Sequence, residues 1–147
     1  MLGKQANHAL KALLELAAEP ERWRSTHELA IAQQLPEPML EQILLRLRRA
    51  GLLVARRGRL GGYRLAMPSR DVGIGAVLRA VAGSGVGLDR NTNCLLSSPE
   101  DQVTQGLQRR LERSEQRALE KLSLEELVFD LHSLDAGVEG EQGLLMG

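Results

Sequence analysis

Apolar residues in the first third of the chain return at helical intervals. Over residues 3–18 they fall at Ala6, Leu10, Leu13, Leu14 and Ala17, which predicts an amphipathic helix. A loop over residues 19–24 follows. Ser25 then stands three residues before Glu28, a spacing that satisfies free amides at a helix start. Leu29, Ala30 and Ala32 supply the apolar contacts of a short second helix that stops near Gln33 or Gln34. Leu35-Pro36-Glu37-Pro38 makes a tight connection, because a residue before proline is driven out of helical geometry while proline suits a first helical turn. From about Pro38 a third helix gathers Leu40, Ile43, Leu44 and Leu47 on one face, and Gly51 terminates it. Two helices joined by a short turn form a helix-turn-helix.

Beyond Gly51 the period changes. Residues 52–56 and 63–66 are strand-like, and Arg57-Gly58-Arg59-Leu60-Gly61-Gly62 between them is a glycine-rich reversal, so a hairpin wing follows the third helix. Residues 74–82 form a short apolar helix, and a glycine-bearing loop continues to about Ser97. Ser98-Pro99-Glu100-Asp101 combines an N-cap, a first-turn proline and a capping acid, opening a helix to about Lys121. Val103, Leu107, Leu111, Ala118 and Leu122 form its apolar stripe, with charges on the other faces. A helix of this length outreaches a small domain, so the stripe predicts a partner helix in a two-fold homodimer. A last helix over 124–134 precedes a mobile tail. The expected fold is mainly α with a small β-hairpin wing: a winged helix-turn-helix plus a long dimerisation helix. The expected regions are 1–82 for DNA binding, 83–98 as a sensor loop, 99–135 for dimerisation and 136–147 as the tail.

Composition narrows the class. With 147 residues and 43% hydrophobic content the chain closes one ordinary core, and with aromatics at 2% (Trp23, Tyr63, Phe129) that core is built from Leu, Ala, Val and Ile. No apolar run is long enough for a membrane span, and no basic start precedes an apolar segment, so a cytoplasmic protein is expected. Gly73-x-Gly75 and Gly83-x-Gly85-x-Gly87 lack the lysine or hydroxyl context of a phosphate loop, and no nucleophile stands with a base, so no enzyme is expected.

The zero net charge conceals a division. Residues 1–70 hold 12 Lys and Arg against 6 Asp and Glu, a charge of +6; residues 71–147 hold 7 against 13, a charge of −6. Between Arg46 and Arg64 seven arginines occur without one acid. Placed on a helix-turn-helix and its wing, they form an electrostatic footprint for double-stranded DNA. A winged helix that binds only proteins is the alternative, and steep salt dependence separates the two.

These residues resemble the Rrf-two (Rrf2) family of winged-helix transcriptional regulators. The resemblance is carried by His8-Ala9-Leu10 through Leu16-Ala17, by Leu40-Glu41-Gln42 with Leu47-Arg48 and Ala50-Gly51-Leu52, and by Arg57-Gly58 with Gly61-Gly62-Tyr63. Ser123-Leu124 to Leu127-Val128 is similar to the family's closing motif. It implies a DNA-binding regulator, a repressor, that recognises an operator. By position, Glu41 and Gln42 probe base edges while Arg57 and Arg59 ride on the wing. The candidate contact set is Ser25, Thr26, Pro38, Met39, Glu41, Gln42, Arg46, Arg49, Arg56, Arg57, Arg59 and Tyr63. Two departures bear on the signal: His8 stands where the family usually has tyrosine, and Cys94 is the only cysteine where cluster-binding members carry three. One thiolate cannot anchor an iron–sulfur cluster alone. An expected cluster is therefore shared across the dimer, with Cys94 and His8 as candidate ligands; the alternatives are reversible oxidation of Cys94 with no cofactor, and an inert Cys94.

Overall fold

The computed structural model describes residues 2–82 and 98–146, with side chains to residue 137. Helix α1 (Lys4–Ala18) buries His8, Ala9, Leu10, Ala12, Leu13 and Leu16, while Leu14 and Ala17 pack half-buried against the core. Helix α2 (Thr26–Gln33) starts as its spacing predicts: Ser25 Oγ accepts the Glu28 amide at 3.1 Å. It ends with Gln34 in the left-handed region at φ 53°. Helix α3 (Glu37–Arg49) carries Pro38 in its first turn, buries Leu40, Ile43, Leu44 and Leu47, and is closed by Gly51 at φ 81°. These three helices pack on one another around a leucine-rich centre.

The wing follows. Strands β1 (Leu53–Arg56) and β2 (Gly62–Leu65) pair antiparallel with Leu53 opposite Leu65 and Arg56 opposite Gly62. The segment expected as a plain loop over 19–24 does more. Arg24 donates its amide to the Tyr63 carbonyl at 3.0 Å and accepts the Tyr63 amide at 2.7 Å, so it lies on β2 as a one-residue strand. This close approach explains Gly62, where φ is +141° and a Cβ would meet the Arg24 carbonyl oxygen at 2.3 Å.

A 3₁₀ turn (Ser69–Asp71) leads into α4 (Ile74–Ala82), which packs on α1 and α3. Helix α5 (Pro99–Lys121) opens with the predicted capping box: Ser98 Oγ accepts the Asp101 amide and the Asp101 carboxylate accepts the Ser98 amide, each at 3.1 Å. None of its residues is fully buried. The junction with α6 (Leu124–Met146) is bonded to the chain between wing and α4: Ile74 donates to the Leu122 carbonyl at 3.0 Å and Leu124 to the Val72 carbonyl at 2.8 Å, flanking a Gly73–Ser123 bridge. Leu124 is fully buried there. Helix α6 runs past Leu134, where the sequence pattern ends it, into the stretch expected as the glycine-bearing tail. Gly137, Gly140 and Gly143 each cost about 1 kcal/mol relative to alanine but forbid nothing, and no proline follows Pro99 to stop the helix.

Candidate nucleic-acid interface

At 100° per residue the faces of α3 separate cleanly. Opposite its buried stripe lie Pro38, Glu41, Gln42 and Arg49, all exposed. Met39 and Arg46, seven residues apart and so on one line of the helix, turn instead towards α1 and α4. His8 Nδ1 lies 3.2 Å from Met39 Sδ. Arg46 donates to Gln5 Oε1 at 3.0 Å and to the Val81 carbonyl at 3.1 Å. Val81 lies in the last turn of α4, so Arg46 satisfies one of that helix's terminal carbonyls. Met39 and Arg46, both in the expected contact set, are half-buried on the flank of α3 that meets α1 and α4. Arg48, absent from the expected set, is exposed in the last turn of α3.

Ser25 and Thr26 stand at the N-terminus of α2, directly after the residue paired with β2, and the Ser25 oxygen is engaged as the cap. On the wing, Gly61 donates to the Gly58 carbonyl at 3.0 Å, which makes Arg59 and Leu60 the two central residues of a tight turn. Gly58 has φ +108°, and a Cβ on Gly61 would lie 2.0 Å from the Arg56 carbonyl oxygen, so the turn depends on both glycines. Arg57, Arg59 and Leu60 are exposed, Leu60 to 84%. Tyr63 points the other way and packs half-buried against the core, since alternation along β2 places it on the inner side with Leu65.

Electrostatics distinguish two groups of arginines. Arg24 reaches Glu28 at 3.2 Å and Glu15 at 3.5 Å, and Arg22 bonds Glu19 at 2.9 Å. The Arg22 guanidinium, through that hydrogen bond and its charge, holds the exposed Glu19 carboxyl below its ordinary range. Among the described residues, no carboxylate pairs with Arg48, Arg49, Arg57 or Arg59. One residue that periodicity missed is Trp23, which lies under Arg64 and Arg56. Its only sequence signal was an isolated tryptophan between Arg22 and Arg24.

Of the two expected sensor residues, only His8 is among the described residues. Cys94 lies outside the described residues. His8 is buried with its Nδ1 at the Met39 sulfur, and His27 Nδ1 sits 3.1 Å from Glu37 Oε2. Among the described residues no three His, Cys, Asp or Glu side chains are grouped to hold a metal ion. Nor is any described helix long and apolar enough to cross a membrane.

The stripe of α5 faces outwards. Val103 is 73% exposed, Leu107 57% and Leu111 61%, with Leu122 and Ala118 exposed as well.

Comparison with known proteins agrees with this arrangement. Residues 2–130 match the model of the family described as Rrf2, iron-dependent transcriptional regulator. A relative from Synechocystis sp., named as an HTH-type transcriptional regulator, is 35% identical over 146 residues, covering 95% of each chain. Among solved structures, T. potens IscR superposes with a TM-score of 0.71 at 28% identity, over 89% of this chain and 88% of its own. CymR, the global cysteine regulator of B. subtilis, gives 0.68 at 26% identity, over 87% and 95%.

Proposed function

The chain belongs to the Rrf2 family of DNA-binding transcriptional regulators, and from that premise we propose that it represses by docking as a homodimer on a two-half-site operator. The carrying observation is the run of arginines with no carboxylate partner among the described residues, Arg48, Arg49, Arg57 and Arg59, on the helix-turn-helix and its wing. In this reading α3 lies in the major groove. Glu41 accepts from base amino groups, Gln42 pairs with base edges, and Arg49 reaches the backbone near the helix end. The wing tip sets Arg57 and Arg59 on adjacent phosphates or in a narrow minor groove. Ser25 and Thr26, at the start of α2, offer amides and hydroxyls to a phosphate. Met39, Arg46 and Tyr63, half-buried and bonded or packed within the protein, stand at the margin of the proposed contact set.

Dimerisation through α5 is supported by its exposed apolar stripe, which a lone chain leaves in water. Two heads on two half-sites explain how so small a reader gains affinity and specificity. The division into a DNA-binding body, a sensor segment over 83–98 and a dimerisation half belongs to the same reading. Repression follows from occupancy, since a protein seated in the groove excludes polymerase.

Cys94 carries the signal in this proposal. A cluster would need both copies of Cys94 from a dimer, whereas reversible oxidation of the thiol needs no other ligand. Iron and sulfide content per chain, with the visible absorption of protein purified without oxygen, separates the two. DNA binding itself is tested by titrating duplex DNA over a range of salt. Affinity that falls steeply with salt supports the reading, and salt-independent or absent binding rejects it.

A further inference from the structure

The chain's one tryptophan stands in the strap before α2, beside the residue that pairs with the edge of β2, and its ring lies against arginines of the wing's outer face. Strand register places Val54, Arg56 and Arg64 on that face, opposite the buried Leu53 and Leu65. The guanidinium carbon of Arg64 lies 4.4 Å from the centre of the Trp23 ring, and that of Arg56 lies 5.9 Å away. Both distances are within reach of a cation–π contact.

The ring is held in place by backbone and charge together. Its neighbour Arg24 is paired with Tyr63 in both directions, at 3.0 and 2.7 Å, and Gly62 permits that approach. The Arg24 side chain, 12% exposed, bridges Glu15 of α1 and Glu28 of α2. Trp23 is thus fixed to the helical body on one side and touches two hairpin arginines on the other. A guanidinium stacked by its face keeps its N–H donors in its own plane, where they remain open to a phosphate oxygen. Among the described residues no carboxylate engages Arg56 or Arg64.

We propose that Trp23 is a positioning residue for DNA binding: it preorganises Arg56 and Arg64 so that the outer face of the wing grips a backbone phosphate, in addition to the contacts of the wing tip. This rests on the DNA-binding reading and adds to it a pair of arginines and the aromatic that orders them.

The test uses the full chain and a fluorescently labelled 30-base-pair mixed-sequence duplex, titrated from roughly 50 to 200 mM salt. Trp23→Leu keeps apolar bulk without the π face. It is expected to weaken binding about 5-fold at the lowest salt and to reduce the salt slope by about one, while Trp23→Phe stays within about 2-fold of wild type. Arg64→Ala should give a loss by itself, and Trp23→Leu/Arg64→Ala less than the sum of the two single losses. The emission of the sole tryptophan in the free protein should shift in Arg64→Ala, which a purely packing role for Trp23 does not require. The proposal is overturned if Trp23→Leu binds as wild type does, if Trp23→Phe loses as much as Trp23→Leu, or if the single losses add. Should Trp23→Leu fail to fold, an unchanged salt slope in Arg64→Ala, which retains Trp23, overturns it as well. Absence of salt-dependent duplex binding in the wild type is a different result, and removes the DNA-binding reading itself.

Discussion

Gln34 and Gly51 end α2 and α3 with the same hydrogen-bond pattern but different chemistry. Leu35 and Gln34 donate to the Ala30 and Ile31 carbonyls, as Leu52 and Gly51 do to Leu47 and Arg48. Glycine takes the left-handed conformation freely, whereas glutamine carries a Cβ against the following carbonyl, at a cost of roughly 1 kcal/mol. Gln34→Gly is therefore expected to raise stability by about 0.5 to 1 kcal/mol in urea denaturation, and a loss would show that the Gln34 side chain does more than turn the chain. At the wing tip, Arg57→Ala should weaken binding to every duplex and reduce the salt slope by about one. An unchanged slope removes Arg57 from the interface. On α3, Glu41→Ala should change which sequences a binding-site selection returns more than it changes mean affinity; uniform loss across sequences rejects base reading by Glu41. Single residues were legible where one local rule governs them. The Ser25 cap, the Gly51 stop and the exposure of Glu41 and Gln42 all follow from spacing. The packing of Met39, Arg46 and Tyr63 against the rest of the protein was not legible, because which flank of a helix or strand meets the body depends on how the other elements pack, and no nearby residue encodes that.

Helices and strands were legible to within a residue or so from period and capping, down to the α5 capping box. The exceptions have physical causes. The Arg24 strap escaped because a one-residue strand has no periodicity, and it exists only because β2 presents free backbone groups beside it. Helix α6 outran its expected end because glycines weaken a helix without terminating it. On α5 the apolar stripe predicts its own partner. Leu107→Glu or Leu111→Glu would bury a carboxylate against an apolar helix, at roughly 3 kcal/mol or more. Sedimentation should show a dimer for the wild type and a monomer, or an unfolded chain, for these variants. A compact wild-type monomer at micromolar concentration would defeat the two-half-site mechanism.

Over the whole molecule, charge and architecture coincide. The half with the +6 balance contains the helix-turn-helix and wing; the half with the −6 balance contains α5 and α6, and its sign disfavours DNA along that side. Cys94 falls between α4 and α5, at the seam. Cys94→Ala is expected to leave the circular-dichroism spectrum and basal DNA affinity unchanged while abolishing any response of that affinity to peroxide or iron–sulfur loading. A variant that still responds as wild type does places the sensor elsewhere. The way α5 is mounted gives this seam mechanical meaning. The helix is clasped to the body at its C-terminal end, by the Gly73–Ser123 bridge and the two hydrogen bonds beside it, while its opening turns are exposed. Twenty-three residues at 1.5 Å each make an arm of roughly 35 Å. Such an arm is a lever with its fulcrum at the bridge. A swing of about 5° there displaces the Ser98 tip by about 3 Å, close to the 3.4 Å step between neighbouring base pairs. In the proposed dimer, such a displacement at the tip, four residues from Cys94 in the sequence, would shift the two heads by about one rung of the DNA ladder.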